Sequence, residues 1–326
     1  MTRETTGDGT DFEELRPLLF SISYRILGSA TEAEDAVQET WLRYAASSTR
    51  PRSLKTFLAT TTTRISIDVL RSARMRREEY IGPWFPEPLL ADPYQDPERS
   101  ADLADSVSMA ALLLMERLSP PERAVFVLRE VFGFAFADVA SAVDRSEAAC
   151  RQLASRARRH MRDGRPRFES DRTKRTELAD RFLDALRDGD VDGLRELLAA
   201  DAQLVSDGGG KVGQKTPVQG IDRVVRVLAA AVPPYIHIGA VIEPHEVNGQ
   251  PGAILRDRGG RIVATWALDI VDGRIQTVRS VINPDKLGHL GPVADARAVI
   301  REKNLARRRP ERTHRAPGPA RSDRRR

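Results

Sequence analysis

The stretch EEYIGPWFPEPLL, residues 78–90, divides the chain because it can form neither a regular helix nor a regular strand. Its three prolines remove backbone donors and hold the chain extended. A plain tether would be rich in Gly and Ser and would not expose Trp84 and Phe85 to water. The question that this string raises is what a stiff aromatic segment does between two helical, arginine-rich segments.

Length and composition define a broad class of protein. The 326 residues suffice for two or three domains, and a hydrophobic content of 40% suffices for packed cores. The single cysteine excludes an intramolecular disulfide and a cysteine-based metal cluster. The N-terminus MTRETTGDGTD is polar and acidic, unlike a secretory signal, and no apolar run approaches the ~20 residues of a membrane span. We therefore expect a soluble cytoplasmic protein with no membrane partner.

Charge is spread unevenly along the chain. Residues 295–326 contain twelve Lys and Arg against four Asp and Glu, a net charge of +8, whereas the whole chain carries only +5. The Pro and Arg content of this tail predicts disorder, and it acts either as a solvated tail or as a non-specific nucleic-acid arm. Residues 64–77 carry five arginines and one acid, residues 145–167 eight arginines and two acids, and residues 31–39 four acids and no base. Two basic surfaces and one acidic surface indicate two kinds of partner.

Helical periodicity fills the first 80 residues. One helix is expected from Phe12 to Leu27, and a second begins with a capping box of Thr31 and Glu34. The second helix buries one face and leaves the other acidic. Its exposed leucine is a hint of a protein-binding surface, but the residues alone favour an ordinary solvated acidic face. The residues of this acidic face are Asp35, Gln38, Glu39 and Leu42.

A third helix is expected over residues 54–78, and it ends in a cluster of arginines. Cations stabilise a helix C-terminus, but that effect accounts for one or two arginines and not for four. The cluster consists of Arg71, Arg74, Arg76 and Arg77.

Residues 106–165 are predicted to form a second helical domain that contains a helix-turn-helix. A short apolar stripe from Phe136 to Val143 is followed by the tight connection Asp144-Arg145 and by Ser146, a good N-cap. In the helix after it, Cys150 faces inward as core, and the outer face is basic. The residues near its start can reach base edges and the later arginines suit phosphates. They are Arg151, Gln152, Ser155, Arg156, Arg158 and Arg159.

These motifs resemble a known family. TEAEDAVQETWLR, ISIDVLRSARMRRE and LSPPERAVFVLREVFGFAFADVASAVDRSEAACRQLASRARR resemble regions two and four of extracytoplasmic-function (ECF) sigma factors. The resemblance implies that residues 11–80 form region 2 and that their acidic face docks on the β′ clamp helices of core RNA polymerase. It also implies that the loop at 46–53 and the helix through Arg77 read and melt the minus-10 element. The basic helix at 146–162 then reads the minus-35 element of the promoter DNA.

The linker, residues 81–105, and the rest of the chain extend the resemblance. YIGPWFPEP is similar to the WLPEP signature of a sigma subgroup with a SnoaL-like extension, and the strings DGGGK and NPDKL are similar to two further signatures of that subgroup. Residues 174–290 show helices followed by strand-like runs, at 235–242, 252–256, 261–270 and 274–282. This pattern fits a cone-shaped α+β fold and completes a multi-domain chain of two all-α domains, an α+β domain and a basic tail.

The two loops are predicted to lie against the linker and to regulate the sigma factor, because a rigid proline-aromatic strand is a low-entropy ligand. The resemblance allows this control to inhibit, to activate or to do both. The regulatory contacts predicted on the linker are Trp84, Pro86, Glu87 and Pro88. Those predicted on the loops are Asp207, Gly208, Gly209, Gly210, Lys211, Asn283, Pro284, Asp285 and Lys286.

Two other interpretations stay open at this stage. A helix-turn-helix repressor would bind a symmetric duplex site without polymerase, which would leave the acidic face unexplained. An enzyme of the SnoaL-like class would need a convergent Asp/His pair, and a small ligand in the cone is equally open. No catalytic residue, cofactor or metal site is predicted. The candidates for such a pair are Asp207, Asp269, His237 and His245, with Trp266 nearby in sequence.

Overall fold

The computed structural model describes residues 5–47, 51–78, 80–94, 96, 98, 100–164, 171–212 and 216–308. The first helical unit has three helices that pack on one another. Its apolar faces meet in a core in which the ring of Phe12 lies 4.9 Å from that of Trp41. The helices are α1 (Thr5–Leu27), α2 (Ala30–Ala46) and α3 (Leu54–Glu78).

The start of α2 differs from the expected capping box. The N-cap is Ser29, whose Oγ accepts the Glu32 N–H at 3.0 Å. Glu34 is not available for a box because it binds Arg16 at 2.7 Å. The Thr31 N–H donates instead to the carboxylate of Glu87, at 3.0 Å. The linker therefore supplies an acceptor to the first turn of α2.

The second helical unit contains the helix-turn-helix. Its third helix starts with a capping box of Ser119 and Glu122, and a π-helical segment (Val127–Val131) follows it. The turn of the motif places Asp144 in the left-handed region at φ +53°, and Ser146 Oγ accepts the Ala149 N–H at 3.2 Å. The helices are α4 (Ser100–Val107), α5 (Met109–Met115), α6 (Pro120–Phe126), α7 (Phe136–Val143) and α8 (Glu147–Gly164).

The two helical units pack directly against each other and share one apolar core. Helix α3 contacts α7, where the Arg64 guanidinium donates to the Ser141 carbonyl at 2.6 Å. Farther along, Arg123 Nε donates to the Arg25 carbonyl at 2.8 Å. Both arginines of this second contact are almost completely buried, so the units form a closed module.

The third unit is an α+β domain, as the sequence predicts. Its six-stranded sheet has the order β2-β1-β6-β5-β4-β3, with β1 and β6 parallel and the other neighbours antiparallel. The helices are α9 (Arg172–Asp188), α10 (Val191–Leu197), α11 (Ile221–Ala231), α12 (Pro233–His237) and α13 (Ala296–Arg308). The strands are β1 (Leu198–Asp207), β2 (Val218–Gln219), β3 (Val241–Val247), β4 (Gln250–Arg256), β5 (Ile262–Val271) and β6 (Arg274–Val281), and 3₁₀ turns follow at Pro284–Lys286 and Gly288–Leu290.

Two expectations for this part of the chain are wrong. The run at 235–242 is not one strand, because prolines at the first turn of α12 start a helix there and β3 begins only at Val241. The tail is not disordered from residue 295 onward, because Ala296–Arg308 form a helix in which Val299 is buried. Residues 309–326 lie outside the described residues.

The sheet has two covered faces. Helices cover one face, in a core that includes Phe182 and Trp266. The other face meets the linker and the second helical unit, where Phe85 and Met109 join Val281 and other apolar residues of the sheet in a separate cluster. The aromatic string between the helical units is therefore covered by the C-terminal domain.

Candidate functional site

The acidic face of α2 lies open to solvent. Asp35 and Gln38 are exposed, and Leu42 is 54% exposed although it is a large apolar residue. Glu39 is half-buried and accepts the Arg43 Nε at 2.8 Å. An exposed large apolar side chain on an acidic helix face suits a protein-binding surface.

The outer face of α8 is also exposed and basic. Gln152, Ser155, Arg156 and Arg159 are exposed. Two of the predicted contacts are also engaged within the chain. The Arg151 guanidinium donates to Glu147 at 2.7 Å, and Arg158 Nε lies 3.8 Å from Glu130 Oε1.

The arginine cluster at the end of α3 is only partly described. Arg71 is exposed and its guanidinium lies 3.2 Å from Asp68. The side chains of Arg74, Arg76 and Arg77 lie outside the described residues.

The linker meets the C-terminal domain at Asp207, the last residue of β1. Its carboxylate is fully buried and accepts the Phe85 N–H at 2.8 Å and the Gly209 N–H at 3.1 Å. The Tyr80 hydroxyl also donates to it, and Asn283 Nδ2 donates to the Tyr80 oxygen at 2.9 Å. Burial and the bond to Asp207 raise the pKa of the Tyr80 phenol. The phenol therefore stays a donor over the physiological pH range.

Lys286 supplies the cation that balances Asp207. Its Nζ lies 2.7 Å from Asp207 Oδ2 and donates to the Phe85 carbonyl as well. It also lies 4.3 Å from the centre of the Trp84 ring and 4.7 Å from that of Tyr80. Aromatic faces attract a desolvated ammonium, so two rings and two oxygens hold one buried charge. We call Tyr80, Trp84, Phe85, Asp207 and Lys286 the linker clasp.

Two glycines of the DGGGK string let the loops approach each other and the linker. Gly209 and Gly210 have φ of +61° and +70°, which disfavours other residues. A Cβ on Gly209 would lie 2.7 Å from the side chain of Asn283, and one on Gly210 would lie 3.0 Å from Ile81. The glycines therefore allow the DGGGK string to pack closely against Asn283 and Ile81, and the string is not a phosphate-binding loop. At its exposed edge, Lys211 forms an ion pair with Asp285.

Glu87 anchors the linker to the first helical unit. Its carboxylate accepts from Ser29 Oγ at 2.9 Å and from Thr31 Oγ1 at 3.2 Å, and its own N–H donates to the Gly28 carbonyl at 2.9 Å. From the C-terminal domain, His289 Nε2 lies 2.7 Å from the carbonyl oxygen of Pro88. Pro86 and Pro88 are themselves buried.

The candidates for acid–base chemistry do not form a pair. Asp207 is part of the linker clasp, and Asp269 is bound by Arg279 at 2.6 Å, although burial raises the pKa of Asp269. His237 and His245 are exposed, and Trp266 Nε1 donates to Ser280 Oγ at 3.1 Å. Among the residues that the structure describes, no cluster of His, Cys, Asp or Glu could hold a metal ion, and no helix could cross a membrane.

The structure thus brings the linker string, DGGGK and NPDK together, and their regulatory role stays a prediction. Sequence reasoning missed Tyr80, His289 and, above all, Asn248, which is 1% exposed. Asn248-Gly249 is a strong hairpin-turn signal, so the turn was visible in the sequence, but its contacts to distant residues were not.

Comparison with known proteins follows the same division of the chain. Residues 12–76 match Sigma-70 region 2, and residues 108–161 match Sigma-70, region 4. The ECF RNA polymerase sigma factor SigJ of Mycobacterium tuberculosis is 36% identical over 287 residues, covering 85% of this chain and 92% of SigJ. The probable ECF RNA polymerase sigma factor SigI of the same species is 30% identical over 278 residues, covering 84% of this chain and 93% of SigI.

A solved structure shows the same architecture. The crystal structure of Mycobacterium tuberculosis SigJ matches with a TM-score of 0.67 and 32% sequence identity, covering 86% of this chain and 98% of that chain. The chain contains two sigma regions in order, followed by a third domain. Together with these relatives, this arrangement places it in the class of RNA polymerase sigma factors. Within that class the chain belongs to the ECF family. Its partners are therefore core RNA polymerase and promoter DNA, which confirms the resemblance, the helix-turn-helix and the fold class.

Proposed function

We propose that the C-terminal domain of this sigma factor inhibits it by holding regions 2 and 4 in a closed arrangement through the linker clasp. The observation that supports this most strongly is the buried pair of Asp207 and Lys286, which the linker completes. Undocking the linker removes the Phe85 N–H and the Tyr80 hydroxyl from Asp207. A buried carboxylate loses stabilisation with each lost donor, so docking is favourable.

The size of the closed module indicates that the C-terminal domain inhibits the sigma factor and does not activate it. A compact unit of roughly 160 residues has a radius of gyration of about 15 Å and is therefore about 40 Å across. The minus-10 and minus-35 elements are roughly 25 base pairs apart, or about 85 Å at 3.4 Å per base pair. Packed regions 2 and 4 therefore cannot meet both elements of a straight duplex at once. Closure opposes promoter recognition, and release of the linker permits it.

The exposed faces then take the roles of a sigma factor. The acidic face of α2 binds polymerase, with Leu42 as its apolar anchor. On α8, Gln152 and Ser155 read bases and the arginines bind phosphates, as do the arginines at the end of α3. The C-terminal domain works by binding and not by catalysis, in the cytoplasm where transcription takes place. Asp207 is held in the linker clasp and Asp269 is bound by Arg279, so neither carboxylate forms an acid–base pair with a histidine.

Replacing Leu42 by Asp should weaken binding to core polymerase by tenfold or more, because a charge would replace the apolar anchor of the contact. The measurement is the Kd for fluorescently labelled core polymerase. Leu305→Asp is the matched control, since Leu305 is 65% exposed on α13 and should leave the Kd unchanged. An unchanged Kd for Leu42→Asp would remove this face from the polymerase contact.

The proposed inhibition is tested in the linker. The double variant Trp84→Ala, Pro86→Ala removes one ring from Lys286 and a buried, stiff residue from the string. Run-off transcription with core polymerase should rise at least tenfold, while the Kd for polymerase stays the same. Pro83→Ala, in the same string but only half-buried, is the control. Transcript levels equal to those of the unmodified protein would count against inhibition through the linker.

A further inference from the structure

The hairpin turn between β3 and β4 places one side chain against three other parts of the chain. Asn248 is the first residue of the turn and has φ +52°, in the left-handed region that Asn adopts more readily than most residues. Gly249 follows with φ +67°, so the pair forms a two-residue turn of the type that fits twisted strands. This turn carries Asn248 into a site where it is 1% exposed.

Asn248 binds the linker with two hydrogen bonds. Its backbone N–H donates to the Leu89 carbonyl at 2.7 Å, and its Oδ1 accepts the Leu89 N–H at 3.0 Å. These two bonds satisfy both backbone groups of a residue that is itself buried. The contact lies beyond Pro88 and is separate from the linker clasp.

The amide nitrogen of Asn248 binds both sigma regions. Nδ2 donates to the Tyr24 hydroxyl oxygen of region 2 at 2.7 Å and to the Val107 carbonyl of region 4 at 3.0 Å. Tyr24 in turn donates to the Glu87 carbonyl of the linker at 2.6 Å. A primary amide has two N–H donors, and each sigma region takes one of them. The side chain is fully satisfied only when region 2, region 4 and the linker hold this relative placement.

We propose that Asn248 is a positioning residue that couples the separation of regions 2 and 4 to the release of the C-terminal domain. If the regions part while the domain stays docked, one amide donor loses its partner inside a buried site. A buried donor without a partner is costly, so such an intermediate is scarcely populated. The two movements then occur as one event. This inference rests on the proposed function and extends it from the linker to the sigma regions themselves.

Asn248→Asp is the sharpest variant for this idea. It keeps the size of the side chain, the tolerance of a positive φ and the oxygen that accepts the Leu89 N–H. It replaces the two donors by an anionic oxygen that faces the Val107 carbonyl. Asp272→Asn is the matched control, because Asp272 has φ +49° in the exposed turn between β5 and β6. Asn248→Gly, which keeps the backbone bond to Leu89, is the second variant.

The experiment measures the distance between the two sigma regions in the full chain. Spin labels are placed at Ala45 and His160, exposed positions on α2 and α8, in a Cys150→Ala background that removes the single native thiol. Pulsed dipolar spectroscopy should give one short distance for the parent protein and for Asp272→Asn. Asn248→Asp and Asn248→Gly should each raise the fraction at longer distances about tenfold, with unchanged helix content. A parental distance distribution in both Asn248 variants would overturn the inference.

Run-off transcription on the same variants separates this inference from the proposed function. Longer distances without more transcript would support coupling through Asn248 and contradict inhibition by closure. More transcript from Trp84→Ala, Pro86→Ala, together with parental distances in both Asn248 variants, would support inhibition by closure and contradict the coupling.

Discussion

Replacing Lys286 by Met should free the linker from the C-terminal domain. Lys286 is 8% exposed and Asp207 is fully buried, so the variant leaves a buried carboxylate without its cation. Breaking such a pair from one side costs about 3–5 kcal/mol, which corresponds to a factor of roughly 10²–10⁴ in the ratio of docked to free linker. This value is the upper limit, since Asp207 regains water when the linker leaves.

Hydrogen exchange reports this release directly. The Phe85 N–H donates to Asp207, so this amide is protected while the linker is docked on the C-terminal domain. In Lys286→Met its exchange should accelerate by up to the same factor. Asp207→Asn should act in the same direction, because it leaves Lys286 buried without its anion.

The chain offers a matched control for this variant. Lys211 and Asp285 form a second ion pair between the same two loops, but their side chains are 45% and 65% exposed. Exposed pairs contribute at most about 1 kcal/mol, so Lys211→Met should change the exchange of the Phe85 amide by a few-fold at most. Equal effects of the two lysine variants would show that the linker clasp does not hold the linker.

Replacing Arg25 by Met should destabilise the closed sigma module. Arg25 is fully buried at the junction of α1, the linker and α4, where its guanidinium binds Asp92 at 2.7 Å, Ser106 Oγ at 2.8 Å and the Leu103 carbonyl at 2.9 Å. Its guanidinium carbon also lies 5.3 Å from the centre of the Phe132 ring. Methionine fills much of the volume but leaves Asp92 without a cation.

The expected loss is about 3–5 kcal/mol in the free energy of unfolding of the module. For a unit of this size the melting temperature should fall by about 6–20 °C, measured by circular dichroism of the helical signal. Arg16→Met is the control, because the Arg16–Glu34 pair is also at 2.7 Å but is 39% and 51% exposed. A fall of only 1–2 °C in Arg25→Met, equal to the control, would mean that the junction is not held by Arg25.

Helices, turns and the order of domains were accessible from the sequence because they depend on local patterns. The apolar periodicity of α1 to α3 predicts three helices, and Asp144 to Ser146 predicts the turn of the helix-turn-helix. The prolines and aromatic rings at 83–88 indicate an extended segment, and the structure covers it with the C-terminal domain. These features depend on residues close together in the chain, which pattern reasoning can read.

The junctions depend on residues far apart in the chain, and no local pattern contains them. Tyr80 meets Asp207 across 127 positions, and Asn248 meets Tyr24 across 224. Arg25 lies in the last turn of α1, where a cation suits the helix dipole, so no local pattern marks it as a buried junction residue. Even the start of α2 was misplaced, because Glu87 of the linker supplies an acceptor that the helix itself does not contain.

The most direct test of inhibition by closure is run-off transcription with core RNA polymerase on the DNA upstream of the protein's own gene. The full chain, Lys286→Met and Lys211→Met are compared at equal concentration. The closed arrangement predicts that Lys286→Met gives at least tenfold more transcript than the other two proteins, with the same Kd for polymerase. Transcript from Lys286→Met at or below the level of the unmodified chain would contradict inhibition by the C-terminal domain.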